Sequence, residues 1–156
     1  MKIVLQRVAK AAVSVDGQII GKINQGFLLL VGISHMDNEN IADKMMDKIC
    51  RLRIFEDEQG KTNCSLADTG GQVLVISQFT LYADCRKGNR PGFTNAGSPD
   101  MAKALYEYMV QGFKARLPVV EQGSFGAKME VELVNDGPFT LVLDSQELGF
   151  FAPATP

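Results

Sequence analysis

Two runs of β-branched residues joined by Asp16-Gly17 limit the fold of this chain more than any other feature of its sequence. Residues 2–8 and 11–15 are rich in Ile and Val, and isoleucines return over 19–23. Asp-Gly between such runs favours a two-residue β-hairpin, because both turn residues tolerate positive φ. Another short turn precedes the apolar run 27–33. The start of the chain is therefore predicted to form an antiparallel meander.

Two later segments change to the helical repeat of apolar residues. Over 38–52 these residues recur every three or four positions, and Asp37 or Asn38 is a candidate N-cap. A second helix is predicted to start after Ser98 as N-cap, with proline at its first position and Gly112 helping to end it.

Strands are predicted over much of the remainder, including a buried one at 73–81 and two more at 129–133 and 139–143. No internal repeat, low-complexity stretch or linker divides the chain. We therefore expect one compact α/β domain over residues 1–156. Its mixed or antiparallel β-sheets are expected to form two layers covered by two main helices.

Composition and charge limit the location and partners of the protein. The formal net charge of −2 argues against a protein that coats long nucleic acids, but permits one that grips an RNA end. No apolar run approaches the roughly 18 residues of a membrane span, and the first residues lack a signal-peptide pattern. Cys50, Cys64 and Cys85 are odd in number and lack CxxC or CxxH spacing, so they are predicted to be reduced thiols. We therefore expect a cytoplasmic protein that does not enter a membrane.

The sequence lacks the motifs of several common enzyme classes. His35 is the single histidine, so a Ser-His-Asp or Cys-His mechanism would depend on that residue. There is no G-x-S-x-G elbow, no G-x-x-x-x-G-K-[ST] loop and no G-x-G-x-x-G fingerprint. No His and Cys residues have zinc-ligand spacing, so we expect no metal site. Catalysis would therefore use hydroxyls, amides, backbone dipoles and groups of the substrate.

Three polar segments each have a structural and a functional interpretation. Ser77–Thr80 follows the apolar run VLVI, and is either a strand end bonded to nearby backbone or the floor of a pocket. Asn135–Pro138 is either an ordinary turn or a functional loop. Arg86, Lys87 and Arg90 lie in a loop that is either simply solvated or in contact with phosphates.

Together with several others, these segments resemble the signature motifs of the D-aminoacyl-tRNA deacylase family. The most distinctive are SQFTLYAD at 77–84 and NDGPFT at 135–140. The others, in order, are QRV at 6–8, LRIFEDEQGKTN at 52–63, KGNRPGF at 87–93, LYEYMV at 105–110 and GSFGAKM at 123–129. So many motifs in order, over nearly the whole chain, make the resemblance highly specific.

The resemblance implies a compact α/β fold with two β-layers, and a homodimer with active sites at its interface. Each site is implied to be lined by Ser77–Thr80 of one protomer and to receive Gly137-Pro138, with a cis peptide bond, from its partner. The family binds the aminoacylated 3′ end of tRNA and cleaves the ester without a required cofactor. Three residues depart from the usual pattern: Phe139 replaces valine, Gly92 replaces serine and Lys128 replaces aspartate.

Individual residues also receive candidate roles. The backbone N–H groups of Phe79 and Thr80 are candidate donors to the oxyanion, and Thr80 also offers a hydroxyl. Gln78 is a candidate for positioning the substrate or the backbone. Ser77 is a candidate for a structural role as a hydrogen-bonding partner. Phe79 either stacks on the terminal adenine or lies in the core. The residues expected to contact substrate or tRNA are Asn135, Phe139, Arg86, Lys87 and Arg90.

The expected function is the removal of D-amino acids from tRNA. Rigid carbonyl groups of Gly137-Pro138 would refuse the β-carbon of an L-amino acid whatever its side chain. Since glycine has no β-carbon, we also expect removal of glycine from tRNA meant for alanine. Three alternatives fit the same fold: an editing domain for one wrong L-amino acid, a nucleic-acid-binding module without catalysis, and a structural dimer.

Overall fold

Strand β1 (Lys2–Val15) is the centre of the main sheet in the computed structural model, which describes residues 1–151. Strand β8 (Glu130–Asp144) pairs antiparallel along one whole edge of β1. The last part of the domain expected over 1–156, residues 152–156, lies outside the described residues.

The opposite edge of β1 pairs with two strands in succession. Both β2 (Gln18–Ile23) and β3 (Gly26–Gly32) run antiparallel to it. The hairpin between β1 and β2 turns at Asp16 and Gly17, whose φ angles are 50° and 75°. The hairpin predicted at Asp16-Gly17 is therefore confirmed. The predicted meander is wrong, because the chain does not reverse between β2 and β3, and both strands pair in succession with β1.

The sheet continues past β3 with two parallel strands. These are β6 (Gln72–Ser77) and β7 (Val120–Gln122). A separate small sheet pairs β4 (Phe55–Glu56) with β5 (Thr62–Cys64). The main sheet is thus mixed, as predicted, with antiparallel pairing around β1 and parallel pairing beyond β3.

Two main helices cover one face of the sheet. They are α1 (Glu39–Arg51) and α3 (Pro99–Arg116), and a single-turn helix α2 (Leu66–Thr69) lies between them in sequence. The buried faces of α1 and α3 join the larger hydrophobic core against the strands. Among residues 1–151, no helix has both the length and the apolar character needed to cross a membrane.

The helix starts differ in how they are capped. The Asn38 side chain accepts a hydrogen bond from the Ile41 N–H at 3.1 Å, which makes Asn38 the N-cap of α1. Asp37, the other candidate, is buried and accepts hydrogen bonds from the Ser34 N–H and the Met1 amino group instead. Ser98 directly precedes α3, as predicted, but its side chain makes no capping bond.

Gly112 does not end α3, and the prediction for this residue is wrong. The helix continues through it to Arg116. A Cβ added at Gly112 would lie 2.5 Å from Met46 Cε of α1. The glycine therefore leaves room for the Met46 side chain where α1 and α3 pack together, and a larger side chain would require Met46 to move.

The sheet carries a hydrophobic core on each face. The larger core lies under the two helices and contains Phe27, Tyr106 and Phe113. The smaller core, on the opposite face, consists of Val8, Ala11, Val13, Ile23, Leu28, Leu74 and Ile76. The sheet curls over this second core until β2 meets β7, where a Cβ on Gly21 would lie 3.0 Å from the Gln122 carbonyl oxygen. This curl produces the predicted two β-layers.

Strand β6 is shorter than the predicted strand 73–81. It ends at Ser77, and Phe79–Tyr82 form a 3-10 turn. The turn packs against the end of β3, where a Cβ added to Gly32 would lie 3.1 Å from the Gln78 carbonyl oxygen. Gly32 therefore sets how closely the polar segment after β6 approaches the sheet.

Gly32→Ala is expected to lower the free energy of unfolding by about 1–3 kcal/mol, because overpacking a tight contact forces backbone to move. The added methyl group would lie 2.9 Å from Leu81 Cβ, which cannot rotate away. Urea unfolding measures this change. The matched control is Gly92→Ala, whose Cβ meets nothing within 4 Å. Equal stability of the two variants would contradict the close packing at Gly32.

Candidate active site

A cleft of about 280 Å³ opens where the parallel strands β3 and β6 end. Its walls come from these strand ends, the first turn of α3 and the loop that leads into β8. The lining residues are Val31, Ile33, Ile76, Ser77, Gln78, Phe79, Ala102, Phe125, Gly126, Ala127, Met129 and Val131. No acidic, basic or histidine side chain is among them. His35 is exposed and lies outside this lining.

The polar segment Ser77–Thr80 leaves the sheet beside this cleft. The Gln78 N–H donates to a β3 carbonyl at 2.8 Å, and its side-chain Nε2 donates to Thr80 Oγ1 at 2.5 Å. Thr80 is exposed and does not line the cleft. In the described part of the chain, the backbone N–H groups of Phe79 and Thr80 have no protein acceptor. The segment therefore presents two unused backbone donors, one on the cleft-lining Phe79 and one on the adjacent Thr80.

Phe79 lies at the surface, so the interpretation of it as a core residue is wrong. Its side chain is 56% exposed. The ring contacts the partly exposed Phe93 in an edge-to-face arrangement, with 5.0 Å between ring centroids. The two rings form an aromatic surface next to the cleft, of the kind on which nucleic-acid bases stack.

The basic loop after the 3-10 turn is partly neutralised. Arg86 forms two side-chain hydrogen bonds to Asp84, at 2.7 and 2.9 Å. These bonds hold the pKa of the Asp84 carboxyl at about 2, well below its ordinary value. Lys87 and Arg90 are exposed, and neither forms an ion pair within residues 1–151. Two of the three predicted phosphate-contacting cations thus carry charge that no described carboxylate balances.

The second predicted segment forms a loop within β8. Asn135 and Thr140 of β8 both pair with β1, whereas the residues between them have no partner on β1. The Asn135 side chain closes the loop by accepting from the Phe139 N–H and donating to Thr140 Oγ1, both at 2.9 Å. Gly137-Pro138 stands exposed at the tip, with a cis peptide bond and a Gly137 φ of 122°.

Arg7 holds this loop from below, and sequence reasoning assigned it no role. Its side chain is nearly buried and donates to the Asp136 carbonyl at 3.1 Å and to the Ile54 carbonyl at 2.7 Å. A Cβ added at Gly137 would lie 2.9 Å from Arg7 Nη2. The available signal was an arginine on the strand face that carries Ile3 and Leu5, where a charge needs partners.

The unusual Phe139 fits this arrangement. Its ring lies under the Arg7 guanidinium, 5.0 Å from Cζ to the ring centroid, and packs against the larger core. The extra bulk relative to valine is thus directed inward. The other two departures, Gly92 and Lys128, are exposed.

In one chain, the cleft and the Gly137-Pro138 loop lie far apart. Across the sheet from Arg7 lie Phe27 on β3 and Val73 on β6, and Val73 is four residues before Ser77. The loop is beyond Arg7 on β8, three strand spacings from β6. At about 4.8 Å between strands and 3.3 Å per residue, the separation along the sheet is about 20 Å.

This fold and these motifs define an aminoacyl-tRNA deacylase, a hydrolase of the ester between an amino acid and tRNA. The family model described as D-Tyr-tRNA(Tyr) deacylase matches residues 4–144, which contain both the cleft and the loop within β8. The chain belongs to this family, and its activity is the deacylation of D-aminoacyl-tRNA.

Two relatives named D-aminoacyl-tRNA deacylase show the extent of the similarity. The relative from Geobacillus sp. (strain WCH70) is 52% identical over 147 residues, which cover 94% of this chain and 97% of the relative. The relative from Clostridioides difficile (strain 630) is 54% identical over 147 residues, which cover 94% and 99%. This chain therefore spans nearly the whole length of both.

Two solved structures share the fold. A protein described as c-Myc DNA Unwinding Element Binding Protein is 39% identical, with a TM-score of 0.88 over 92% of this chain and 98% of the other. A probable eukaryotic D-amino acid tRNA deacylase is 16% identical, with a TM-score of 0.81 over 91% and 97%. The second likeness concerns the fold alone, and the predicted α/β fold class is confirmed.

Thr80→Ala is expected to retain activity within about tenfold of wild type, because an unactivated threonine hydroxyl is a poor nucleophile. Among the described residues, the side-chain partner of Thr80 Oγ1 is the Gln78 amide nitrogen, a donor that cannot accept the hydroxyl proton. Single-turnover hydrolysis of D-tyrosyl-tRNA measures the effect. A loss of about 10⁴-fold in a folded variant that still binds tRNA would instead establish Thr80 as the nucleophile.

Proposed function

We propose that the chain removes D-amino acids from tRNA as a homodimer, in which Gly137-Pro138 of each protomer closes the cleft of its partner. The proposal rests on the strand order and register, which place the cleft and the loop of one chain about 20 Å apart along the sheet. The loop tip is also exposed, while Asn135 and Arg7 hold its base. A rigid, exposed loop that cannot reach its own cleft is suited to complete another.

The chemistry requires positioning more than strong side-chain catalysis. Aminoacyl-tRNA is an ester activated by its ribose hydroxyl and ammonium group, so a bound water needs limited assistance. The unpaired N–H groups of Phe79 and Thr80 are the proposed donors to the developing oxyanion. The 2′-hydroxyl of the substrate is proposed to assist the water, since no described residue that lines the cleft has an acidic, basic or histidine side chain. No cofactor is required for this route.

The 3′ end of tRNA is proposed to approach across the aromatic surface. Stacking of the terminal adenine on Phe79, which contacts Phe93, would bring the ester to the adjacent cleft. Lys87 and Arg90 would contact the preceding phosphates, while Arg86 is occupied by Asp84. Gln78 and Ser77 line the cleft and are proposed to position the substrate.

Chiral selection is proposed to come from steric exclusion of L-aminoacyl groups. The carbonyl groups of Gly137 and Pro138 would face the α-carbon of the bound aminoacyl group and leave no space for an L-side chain. Backbone groups cannot change rotamer, and they are indifferent to the identity of the side chain. The Asn135 hydrogen bonds and the Arg7 contact keep this wall in place.

Mixed dimers test the contribution of the partner. Ala127→Phe should fill the cleft that Ala127 lines, and Gly137→Val should distort a loop whose φ of 122° disfavours valine. Each variant alone is expected to be inactive. After subunit exchange of equal amounts, half of the dimers are mixed, and about a quarter of wild-type activity should return because each has one complete site.

The same experiment has a clear contrary result. If each chain supplies its own loop, every site in a mixed dimer carries one of the two changes, and no activity returns. Exchange is verified by native mass spectrometry of differently tagged chains. The control for tagging mixes two preparations of the Ala127→Phe variant that carry different tags.

Glycyl-tRNA distinguishes steric refusal from recognition of the D-side chain. Glycine has no β-carbon to meet the wall, and one missing methyl group alters binding by only about 1–3 kcal/mol. Glycyl-tRNA and D-alanyl-tRNA should therefore both be hydrolysed, and L-alanyl-tRNA should not. The enzyme would then remove glycine attached to alanine tRNA. The measurement is single-turnover hydrolysis with one tRNA body, and inert glycyl-tRNA beside cleaved D-alanyl-tRNA would refute refusal as the mechanism.

A further inference from the structure

A basic groove runs along the outer face of α1. Lys44, Lys48 and Arg51 are spaced four and three residues apart, so their side chains share one face of the helix. The groove has a volume of about 360 Å³ and is lined by Lys44, Asp47, Lys48, Arg51, Leu52, Arg53 and Phe150. All four of its cationic residues are exposed.

Among residues 1–151, few acidic groups balance the positive charge of this groove. Of the described residues that line it, Asp47 alone is acidic, and its carboxylate already accepts a 3.0 Å hydrogen bond from Arg116 of α3. Within residues 1–151, none of the four cations lies within 4.0 Å of a carboxylate oxygen. The chain as a whole has a net charge of −2. Concentrating like charges in one groove is unfavourable without a ligand, so the groove is suited to an anion.

We propose that this groove binds the phosphodiester backbone of the tRNA substrate. The helix rise places Lys44 and Arg51 about 10 Å apart along α1, which matches a few successive backbone phosphates. Arg53 already donates to Asn63, and Lys44 to the Phe150 carbonyl oxygen, so Lys48 and Arg51 are the cations best suited to phosphate contacts that carry no sequence information. The inference rests on the proposed function, because it assigns a binding surface for the body of that substrate.

The position of the groove determines which cleft it serves. Arg53 is the neighbour of Ile54, whose carbonyl accepts from Arg7, and Arg7 holds Asp136 of the loop. The Arg53 end of the groove is therefore next to the contact that joins Arg7 to the base of its own Gly137-Pro138 loop, and none of the residues that line the groove also lines the chain's own cleft. In the proposed dimer that loop enters the partner's cleft. The groove thus receives RNA whose 3′ end occupies the partner's site.

The test uses the double variant K48Q/R51Q, which removes two exposed cations. The control K61Q/K114Q makes the same charge change at exposed lysines outside the groove. The first measurement is filter binding of deacylated tRNA over a series of salt concentrations. The groove variant should bind about tenfold more weakly at low salt, and the slope of log Kd against log salt should fall by about 1.5. The control should change neither quantity appreciably.

Hydrolysis of D-tyrosyl-adenosine, which lacks the body of the tRNA, is the second measurement. The groove variant should cleave it at the wild-type rate, while KM for D-tyrosyl-tRNA rises. Binding that matches the control, or an equal loss on D-tyrosyl-adenosine, would overturn the groove as an RNA site. Wild-type protein that failed to cleave either D-substrate would refute the proposed function instead, and the binding arm would still decide the groove.

Mixed dimers locate the effect. One chain carries Ala127→Phe and supplies the intact loop, and the other carries Gly137→Val and supplies the intact cleft. K48Q/R51Q placed on the loop-supplying chain should raise KM of the single complete site. The same pair placed on the cleft-supplying chain should not. The opposite result would overturn the assignment of the groove to the partner's cleft.

Discussion

The nearly buried guanidinium of Arg7 is the contact on which the arrangement of this protein depends. A buried cation is tolerated only when acceptors surround it, and charged hydrogen bonds are stronger than neutral ones. Arg7 donates to carbonyl oxygens of Asp136 and Ile54 and lies over the Phe139 ring. These contacts join β1, the segment after α1 and the loop within β8. The geometry of the loop is therefore coupled to the packing of α1.

The strand order explains why the two motifs do not meet in one chain. The segment after β6 lies at one end of the parallel strands, whereas the loop interrupts a strand on the far side of β1. In the proposed two-fold symmetric dimer, each copy would offer its loop to the cleft of the other, so both sites would be completed. Oligomerisation is in this view a condition for the site.

The makeup of the cleft is consistent with the reaction. Its polar groups are a hydroxyl, an amide and backbone N–H donors, and its remaining lining is apolar. An activated ester needs these groups to be well placed, and it does not need a strong base. Rigidity is then more valuable than reactivity. The close approach permitted by Gly32 and the side-chain bonds of Asn135 both supply it.

Local signals in the sequence determined the first hairpin, the positions of α1 and α3, and the two segments around Ser77 and Gly137. A turn's φ preferences and a helical repeat depend on neighbours in the chain, so they can be read without a structure. The motif resemblance then supplied the activity. None of these signals depends on where distant segments meet.

The tertiary structure alone decided the extension of α3 past Gly112, the end of β6 at Ser77 and the place of Arg7. Each depends on a surface made by residues far away in sequence: Met46 for the helix, Gly32 for the turn after the strand, and Ile54 for the arginine. Propensity can suggest that a glycine ends a helix, but close packing against a second helix overrides it. The distance between the two motifs is likewise a property of strand order, which no local pattern encodes.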